Sequence, residues 1–134
     1  MNFDLRRVSR LVSGLYDATL RPSGLRGTQL NLLVALALLE RATVKQLAAT
    51  LVVDRTTLSR NLGPLERDGL VRSVHERDGR ARPLELTDLG VARLATALNY
   101  WQQAQARLIE ILGPERSNGL AKRLKESAVA LLAE

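Results

Sequence analysis

A cluster of arginine residues lies in the stretch HERDGRARPLEL, residues 75 to 86, where Arg77, Arg80 and Arg82 surround the pair Asp78-Gly79. Alternating apolar residues on both sides predict a two-stranded hairpin over about 71–86, with these guanidinium groups at its tip. A thin protrusion that carries arginine fits the narrow, strongly negative minor groove of DNA. Asp78 opposes that charge, and we interpret it as a brace that pairs with Arg80 inside the loop. A charged loop that only improves solubility is the alternative.

A second group of residues suited to DNA lies upstream, in the segment RTTLSRNLGPLER, residues 55 to 67. On a helix, Leu58, Leu62 and Leu65 fall in one narrow sector, which predicts a buried stripe. Arginine can pair with guanine, asparagine with adenine, and a threonine methyl group can meet the thymine methyl in the major groove. The candidate DNA-contacting residues of this helix are Thr56, Thr57, Ser59, Arg60 and Asn61. The alternative is the ordinary polar face that any amphipathic helix has.

The elements around this helix predict a helix-turn-helix. Thr43 with Gln46 forms a capping box for a short helix over 44–51, and Asp54 suits the N-cap of the next helix. Gly69 has the residue type that ends a helix in the left-handed conformation. Pro64 removes one backbone N–H inside the second helix and predicts a kink there.

Apolar periodicity predicts further helices on both sides of this motif, over about 3–18, 27–41, 88–112 and from Pro114 onward. We therefore expect a mainly α protein with a small β-hairpin wing, in one domain over 1–134. Residues 26–87 form the winged helix-turn-helix core, and 1–20 with 88–134 form dimerisation helices. The terminal helices carry more apolar residues than one core needs, which predicts a homodimer and, by its symmetry, a palindromic DNA site.

Composition excludes several kinds of chemistry. The chain has no cysteine and one histidine, so we expect no disulfide, no metal site, no cofactor and no thiol-based sensing. It has no glycine-rich phosphate loop and no converging carboxylates, so we do not expect an enzyme. The longest apolar run, residues 32 to 39, is too short to span a bilayer, and the charged N-terminus does not resemble a signal peptide. These features favour a cytoplasmic protein without a membrane partner, and the net charge of +6 suits a polyanion.

The segment TVKQLAATLVVDRTTLSRNLGPLERDGLV, followed by RDGRA and LELTDLG, resembles the MarR family of bacterial winged helix-turn-helix transcriptional regulators. The family pattern Asp-x-Arg-Ala and then Leu-Thr-x-x-Gly is matched at Asp78, Arg80, Ala81, Leu86, Thr87 and Gly90. The resemblance implies a dimeric DNA-binding regulator, often released by small phenolic or other lipophilic ligands. It assigns Arg80 to the minor groove, Asp78 to bracing the wing, and Ser59 with Arg60 to DNA contact. Gly79 departs from the second wing arginine found in many members.

The sequence thus predicts a dimeric, sequence-specific regulator of transcription, a repressor, that binds double-stranded DNA and responds to a small-molecule effector. Tyr16, Tyr100 and Trp101 are the candidate residues of a ligand pocket, although all three could instead pack at the dimer interface. Two other functions remain open at this point. One is a winged-helix module for protein–protein contact, and the other is a non-specific DNA binder.

Overall fold

The chain folds into helices and a small antiparallel sheet, in the computed structural model that describes residues 1–75 and 82–134. The elements in chain order are α1 (Asn2–Leu20), a 3₁₀ turn (Arg21–Ser23), α2 (Gly27–Leu39), α3 (Val44–Leu51), α4 (Arg55–Arg67), β1 (Val71–Ser73), β2 (Leu84–Leu86), α5 (Asp88–Leu112) and α6 (Pro114–Leu132). The predicted fold class, mainly α with a β-hairpin wing, is confirmed. The predicted wing tip, with Arg77, Asp78, Gly79 and Arg80, lies outside the described residues.

Helix α2 is the centre of the fold. Its sequence LNLLVALALL is apolar on nearly every side, and α2 packs against α1, α3, α4, α5 and β2. Leu33 and Leu36 are fully buried there, together with Leu47 of α3 and Leu58 of α4. Because a helix without a polar face can only be stable inside a core, the other elements surround it.

Side-chain caps fix where α3 and α4 begin. The Thr43 hydroxyl accepts a hydrogen bond from the Gln46 N–H at 3.2 Å, and the Gln46 side chain accepts one from the Thr43 N–H at 2.9 Å. The Asp54 carboxylate accepts from the Thr57 N–H at 2.7 Å. These are the caps that the sequence predicts, and they satisfy N–H groups that have no partner inside the helix.

The turn between α3 and α4 contains an unusual backbone conformation. Val52 is left-handed, with φ 55° and ψ 50°, and the Val53 N–H donates to the Ala48 carbonyl at 3.0 Å. A β-branched residue rarely adopts this conformation because its Cβ crowds the backbone. The tight turn that sets α4 against α3 is therefore made at a cost in local strain.

Helix α4 ends at Arg67, and Gly69 beyond it adopts the left-handed conformation that the sequence predicts and leads the chain into the wing. Gly69 has φ 73°, and the Leu70 N–H donates back to the Leu65 carbonyl at 2.9 Å. Pro64 lies inside α4, which continues past it to Arg67. In the sheet, Val71 pairs with Leu86 and Ser73 with Leu84.

Two backbone contacts attach the wing to the helices. Leu84 exchanges hydrogen bonds of 2.8 and 3.1 Å with Ala42, in the segment between α2 and α3. On the other side, α5 passes so close to Leu70 that a Cβ on Gly90 would lie 2.1 Å from the Leu70 carbonyl oxygen. Glycine is therefore required at this position by space, because any side chain would push α5 away from the wing.

Candidate nucleic-acid interface

Helix α4 is the second helix of the helix-turn-helix, and its polar face is exposed to solvent. Leu58, Leu62 and Leu65 are buried against the core, as the sequence predicts. The opposite side carries exposed polar side chains, and these are Arg55, Thr56, Ser59, Arg60 and Arg67. With one side anchored by leucine, the exposed side is a ridge that can enter the major groove of DNA.

The start of α4 carries a negative charge beside its positive residues. Hydrogen bonds from Thr57, with a smaller effect of the nearby Arg60 charge, hold the pKa of the Asp54 carboxyl below its usual range. Asp54 is therefore ionised at neutral pH and occupies the helix end where an anion would otherwise bind. The exposed groups that remain for nucleic acid at this end are side chains, mainly those of Thr56, Ser59 and Arg60.

Asn61 and Thr57 differ from the other candidate residues of α4 because both are half-buried. The Asn61 Oδ1 accepts a hydrogen bond from the Thr28 hydroxyl at 3.1 Å, and its Nδ2 donates to the Thr57 carbonyl at 3.1 Å. Asn61 thus faces the beginning of α2. Thr28 was not among the predicted residues, because the two are 33 positions apart and no local pattern connects them.

The base of the wing is attached to the core by a carboxylate between two arginines. Glu85 of β2 pairs with Arg72 of β1 at 2.6 Å and with Arg41, after α2, at 2.9 Å. Hydrogen bonds from these guanidinium groups keep the pKa of the Glu85 carboxyl below its usual range, and the bond from Arg72 has the larger effect. The cross-strand pair of Arg72 and Glu85 follows from strand register, whereas the Arg41 contact had no signal in the sequence.

Of the three predicted wing arginines, Arg82 is the one that lies within the described residues. It is exposed and directly precedes Pro83, whose carbonyl accepts a hydrogen bond from the Val74 N–H at 2.8 Å. Arg82 therefore extends from the described base of the hairpin on its solvent side. The predictions for Arg77, Asp78 and Arg80 fall on residues that are not described.

Two of the three aromatic candidates for a ligand pocket, Tyr16 and Trp101, lie where α1 meets α5, and Tyr100 packs against the core. Tyr16, Tyr100 and Trp101 are half-buried, and the rings of Tyr16 and Trp101 are 6.3 Å apart. The Tyr16 hydroxyl donates a hydrogen bond to the Gln105 side chain, and burial raises the pKa of the Tyr16 phenol. Each ring is therefore already packed within the chain.

A large open groove lies elsewhere on the same helices. Its volume is about 1210 Å³, and it runs between α1, the end of α5 and the start of α6. Its apolar lining is formed by Val8, Leu11, Val12, Leu15, Leu108, Ile111, Leu112 and Leu120. None of the three aromatic candidates lines it. The groove is apolar on most of its surface, so it suits another apolar surface better than a charged molecule.

Neither a metal cluster nor a membrane span was found in the described part of the chain. Residues 1–75 and 82–134 contain no group of three acidic, histidine or cysteine residues placed to hold a metal ion. Within those same ranges, every helix is too short or too polar to cross a bilayer.

Comparison with known proteins identifies the family. The family model described as MarR matches residues 23–81. The chain is 38% identical to the M. tuberculosis transcriptional regulator MosR, solved in complex with DNA, with a TM-score of 0.78 and coverage of 98% of this chain and 97% of that one. The chain belongs to the MarR family. No curated protein sequence matched in the corresponding search.

Two further structures extend the similarity. The transcriptional repressor CouR, solved with a 23-mer DNA duplex, is 27% identical, with a TM-score of 0.87 and coverage of 96% of this chain and 92% of that one. Wild-type MarR from E. coli is 22% identical, with a TM-score of 0.79 and coverage of 95% of this chain and 96% of that one, and at that identity the similarity shows a shared fold. MarR-family proteins are transcriptional regulators, which confirms the expectation that the chain is not an enzyme.

Proposed function

We propose that this MarR-family protein is a sequence-specific DNA-binding transcriptional regulator that inserts α4 into the major groove and its wing into the minor groove. The observation that carries the proposal is the exposed row of Thr56, Ser59 and Arg60 on a helix whose other side is fixed by buried leucines. Hydroxyl and guanidinium groups are the side chains that read base edges. The protein would act in the cytoplasm, on the cell's own DNA.

Two of the similar structures support this proposal. MosR, at 38% identity, was solved in complex with DNA, and CouR, at 27%, is a transcriptional repressor bound to a DNA duplex. The fold and polar helix face of this chain are compatible with the same kind of ligand. We therefore propose repression as the mode of regulation, in which the bound protein blocks transcription from its site.

The recognition role of α4 can be tested with Arg60. A duplex bound by the protein is first selected from a pool of random sequences, and Arg60→Ala is then compared with wild type on single-base variants of that duplex. Loss of one base contact should cost about 1–3 kcal/mol and remove the preference at one position of each half-site. Arg107→Ala, at an exposed arginine of α5, is the matched control and should bind as wild type does. An unchanged base preference in Arg60→Ala would contradict the role.

The wing arginines are expected to contact phosphate and the minor groove rather than to read bases in the major groove. We propose this role for Arg77, Arg80 and Arg82, with Asp78 as the brace of the loop. Replacing Arg80 or Arg82 by Ala should weaken binding to all duplexes alike and lower the salt slope by about one unit. Undiminished affinity in both variants would refute a contact by the wing. Absence of DNA binding even at low salt would favour the alternative of a protein-docking module.

We further propose that two copies form a homodimer through the terminal helices. Helix α6, all of which the structure describes, buries none of its residues. Helices α1, α5 and α6 all expose apolar side chains, and Val8, Leu11 and Ile111 among them line the open groove. A second copy would cover these side chains and make the binding site two-fold symmetric. It would also set the two α4 helices about 34–36 Å apart, one turn of DNA.

Sedimentation equilibrium can test the dimer with two matched leucine substitutions. Leu11 in α1 is 71% exposed and lines the groove, whereas Leu38 at the end of α2 is 79% exposed and lies away from it. Leu11→Glu should shift the protein towards monomer, and Leu38→Glu should leave the dimer intact. A wild-type protein that sediments as a monomer at all concentrations would contradict the dimer.

We also propose that a small lipophilic effector releases the protein from DNA. This proposal is supported by Tyr16, Tyr100 and Trp101, whose half-buried rings leave part of each surface open on α1 and α5. Since Trp101 is the single tryptophan, its fluorescence reports on this region without labelling. Simple phenols should change that emission saturably and release the protein from its duplex over the same concentration range. Release from the duplex without any change in Trp101 emission would show that the effector binds away from these three residues.

A further inference from the structure

One residue of the recognition helix is held in a way that does not suit contact with DNA. Asn61 uses its Oδ1 to accept from the Thr28 hydroxyl and its Nδ2 to donate to the Thr57 carbonyl, each at 3.1 Å. The side chain is half-buried, whereas Ser59 and Arg60 beside it are exposed. Bidentate recognition of adenine requires both the oxygen and the nitrogen of the amide. Turning Asn61 outward would break both hydrogen bonds at once.

The partner of Asn61 belongs to a well-anchored turn. Thr28 is in the first turn of α2, where the Gly27 N–H donates to the Asp17 carboxylate of α1 at 2.7 Å. In the same turn, the Arg26 N–H donates to the Gln29 side chain at 3.0 Å. The start of α2 is thus fixed to α1 on one side and to α4, through Thr28, on the other.

The hydrogen bond between Asn61 and Thr28 lies where it can control the rotation of α4 about its own axis. Leu58, Leu62 and Leu65 anchor one side of α4 in the core, but their apolar contacts are non-directional and leave small rotations about the helix axis possible. A hydrogen bond at the edge of the buried stripe is directional, so it opposes such rotation. The rotation of α4 determines the direction in which Thr56, Ser59 and Arg60 point.

We propose that Asn61 is a positioning residue: together with Thr28 it fixes the rotation of α4 and thereby the direction of the base-reading side chains. This inference rests on the proposed function and refines it, because it removes Asn61 from the residues that contact bases. It also assigns a role to Thr28, which lies outside the recognition helix. Thr28 and Asn61 then act as one unit, and substituting either should have the effect of substituting both.

The test uses Thr28→Val, Thr28→Ser, Asn61→Ala and the double variant Thr28→Val/Asn61→Ala, on the duplex selected by wild type and its single-base variants. Thr28→Val keeps the shape of threonine and removes the hydroxyl, whereas Thr28→Ser keeps the hydroxyl. Thr28→Val and Asn61→Ala should each weaken binding by about two- to tenfold, as expected for one hydrogen bond. The double variant should lose no more than Asn61→Ala alone, and Thr28→Ser should bind as wild type does.

The pattern of base preference separates positioning from reading. If the pair positions α4, Thr28→Val and Asn61→Ala reduce discrimination over all base pairs that α4 reads. If Asn61 instead reads adenine, Asn61→Ala loses preference at a single A·T pair and Thr28→Val keeps it, which would overturn the inference. A Thr28→Ser variant as weak as Thr28→Val would overturn it as well.

Two further measurements distinguish failure of this inference from failure of the proposed DNA-binding function. The coupling of Thr28 and Asn61 in the free protein is measured by a double-mutant cycle on urea unfolding, and additive effects there would overturn the inference without reference to DNA. A wild-type protein that selects no duplex from the random pool would refute the proposed function itself. In that case the unfolding cycle still decides whether the pair fixes α4.

Discussion

The winged helix-turn-helix and the terminal helices differ in how many of their helix ends are capped and how many of their residues are buried. In the first region, α3, α4 and the start of α5 have side-chain caps at Thr43, Asp54 and Thr87, and leucines of each helix are buried. In the second, α1 and α6 have no side-chain cap, α1 buries only Leu20, and α6 buries nothing, over ranges that are fully described. The first region is therefore stabilised by its own contacts, whereas the second exposes apolar surface that a second copy would cover.

The largest difference between the regions should appear when a leucine is shortened in each. Leu33 of α2 is fully buried, so Leu33→Ala should lower the free energy of unfolding by about 2–5 kcal/mol at any protein concentration. Leu11 of α1 is exposed in the single chain, so Leu11→Ala should destabilise only through the dimer, and only at concentrations where a dimer forms. Urea unfolding over a range of concentrations measures both. A loss in the Leu11 variant that is independent of concentration would contradict the comparison.

The junction of the two regions at Gly90 should be the next most sensitive position. A Cβ there would lie 2.1 Å from the Leu70 carbonyl oxygen, so Gly90→Ala should lower the free energy of unfolding by about 1–3 kcal/mol or more. Gly63, inside α4, is the control, because a Cβ there meets no atom within 4 Å among the described residues. Gly63→Ala should raise stability by about 0.5–1 kcal/mol through helix propensity. Equal effects of the two substitutions would mean that α5 does not pack as closely as described.

Within the first region, a substitution at Val52 in the turn between α3 and α4 should increase stability. Its left-handed conformation is strained and its side chain is 68% exposed, so Val52→Gly should raise the free energy of unfolding by about 0.5–1 kcal/mol. The neighbouring Val53 is half-buried with negative φ, so Val53→Gly should lower stability instead. Thermal unfolding of the two variants provides the comparison. A loss in Val52→Gly as large as that in Val53→Gly would show that φ at this turn is not a source of strain.

The smallest effect should be the pH dependence of the α4 cap. Because the pKa of folded Asp54 lies below its unfolded value, the cap contributes stability that is complete above about pH 4 and is lost as pH falls through the lowered pKa. The stability difference between wild type and Asp54→Ala should therefore be constant near neutral pH and shrink in acid. Thr43→Ala is the control, because the hydroxyl cap of α3 does not titrate. A difference for Asp54 that stays constant down to the lowest pH would contradict this account.

Local patterns in the sequence predicted the elements and the polar face of α4 well. The caps at Thr43 and Asp54, the left-handed Gly69 and the buried Leu58 all depend on residues a few positions apart, so they can be recognised in a linear pattern. Thr87 suits the N-cap of α5, where its hydroxyl accepts from the Gly90 N–H, whereas Gly90 is indicated by the family resemblance alone. The physical reason for Gly90, the close approach of α5 to Leu70, appears only in the structure.

Contacts between distant residues could not be predicted in this way. Thr28 and Asn61 are 33 positions apart, and Arg41 and Glu85 are 44 apart, so each pair is created by the packing of elements and not by their sequence periodicity. The same limit applies to Asn61. Its residue type predicts contact with adenine, whereas its hydrogen bond to Thr28 of α2 depends on packing.

Sequence-specific DNA recognition by this MarR-family chain is tested most directly by a salt titration of binding to the selected duplex and to a scrambled duplex of equal length. We predict a preference of about a thousandfold or more for the selected duplex, together with affinity that falls steeply as salt rises. Equal affinity for the two duplexes at every salt concentration would contradict the claim.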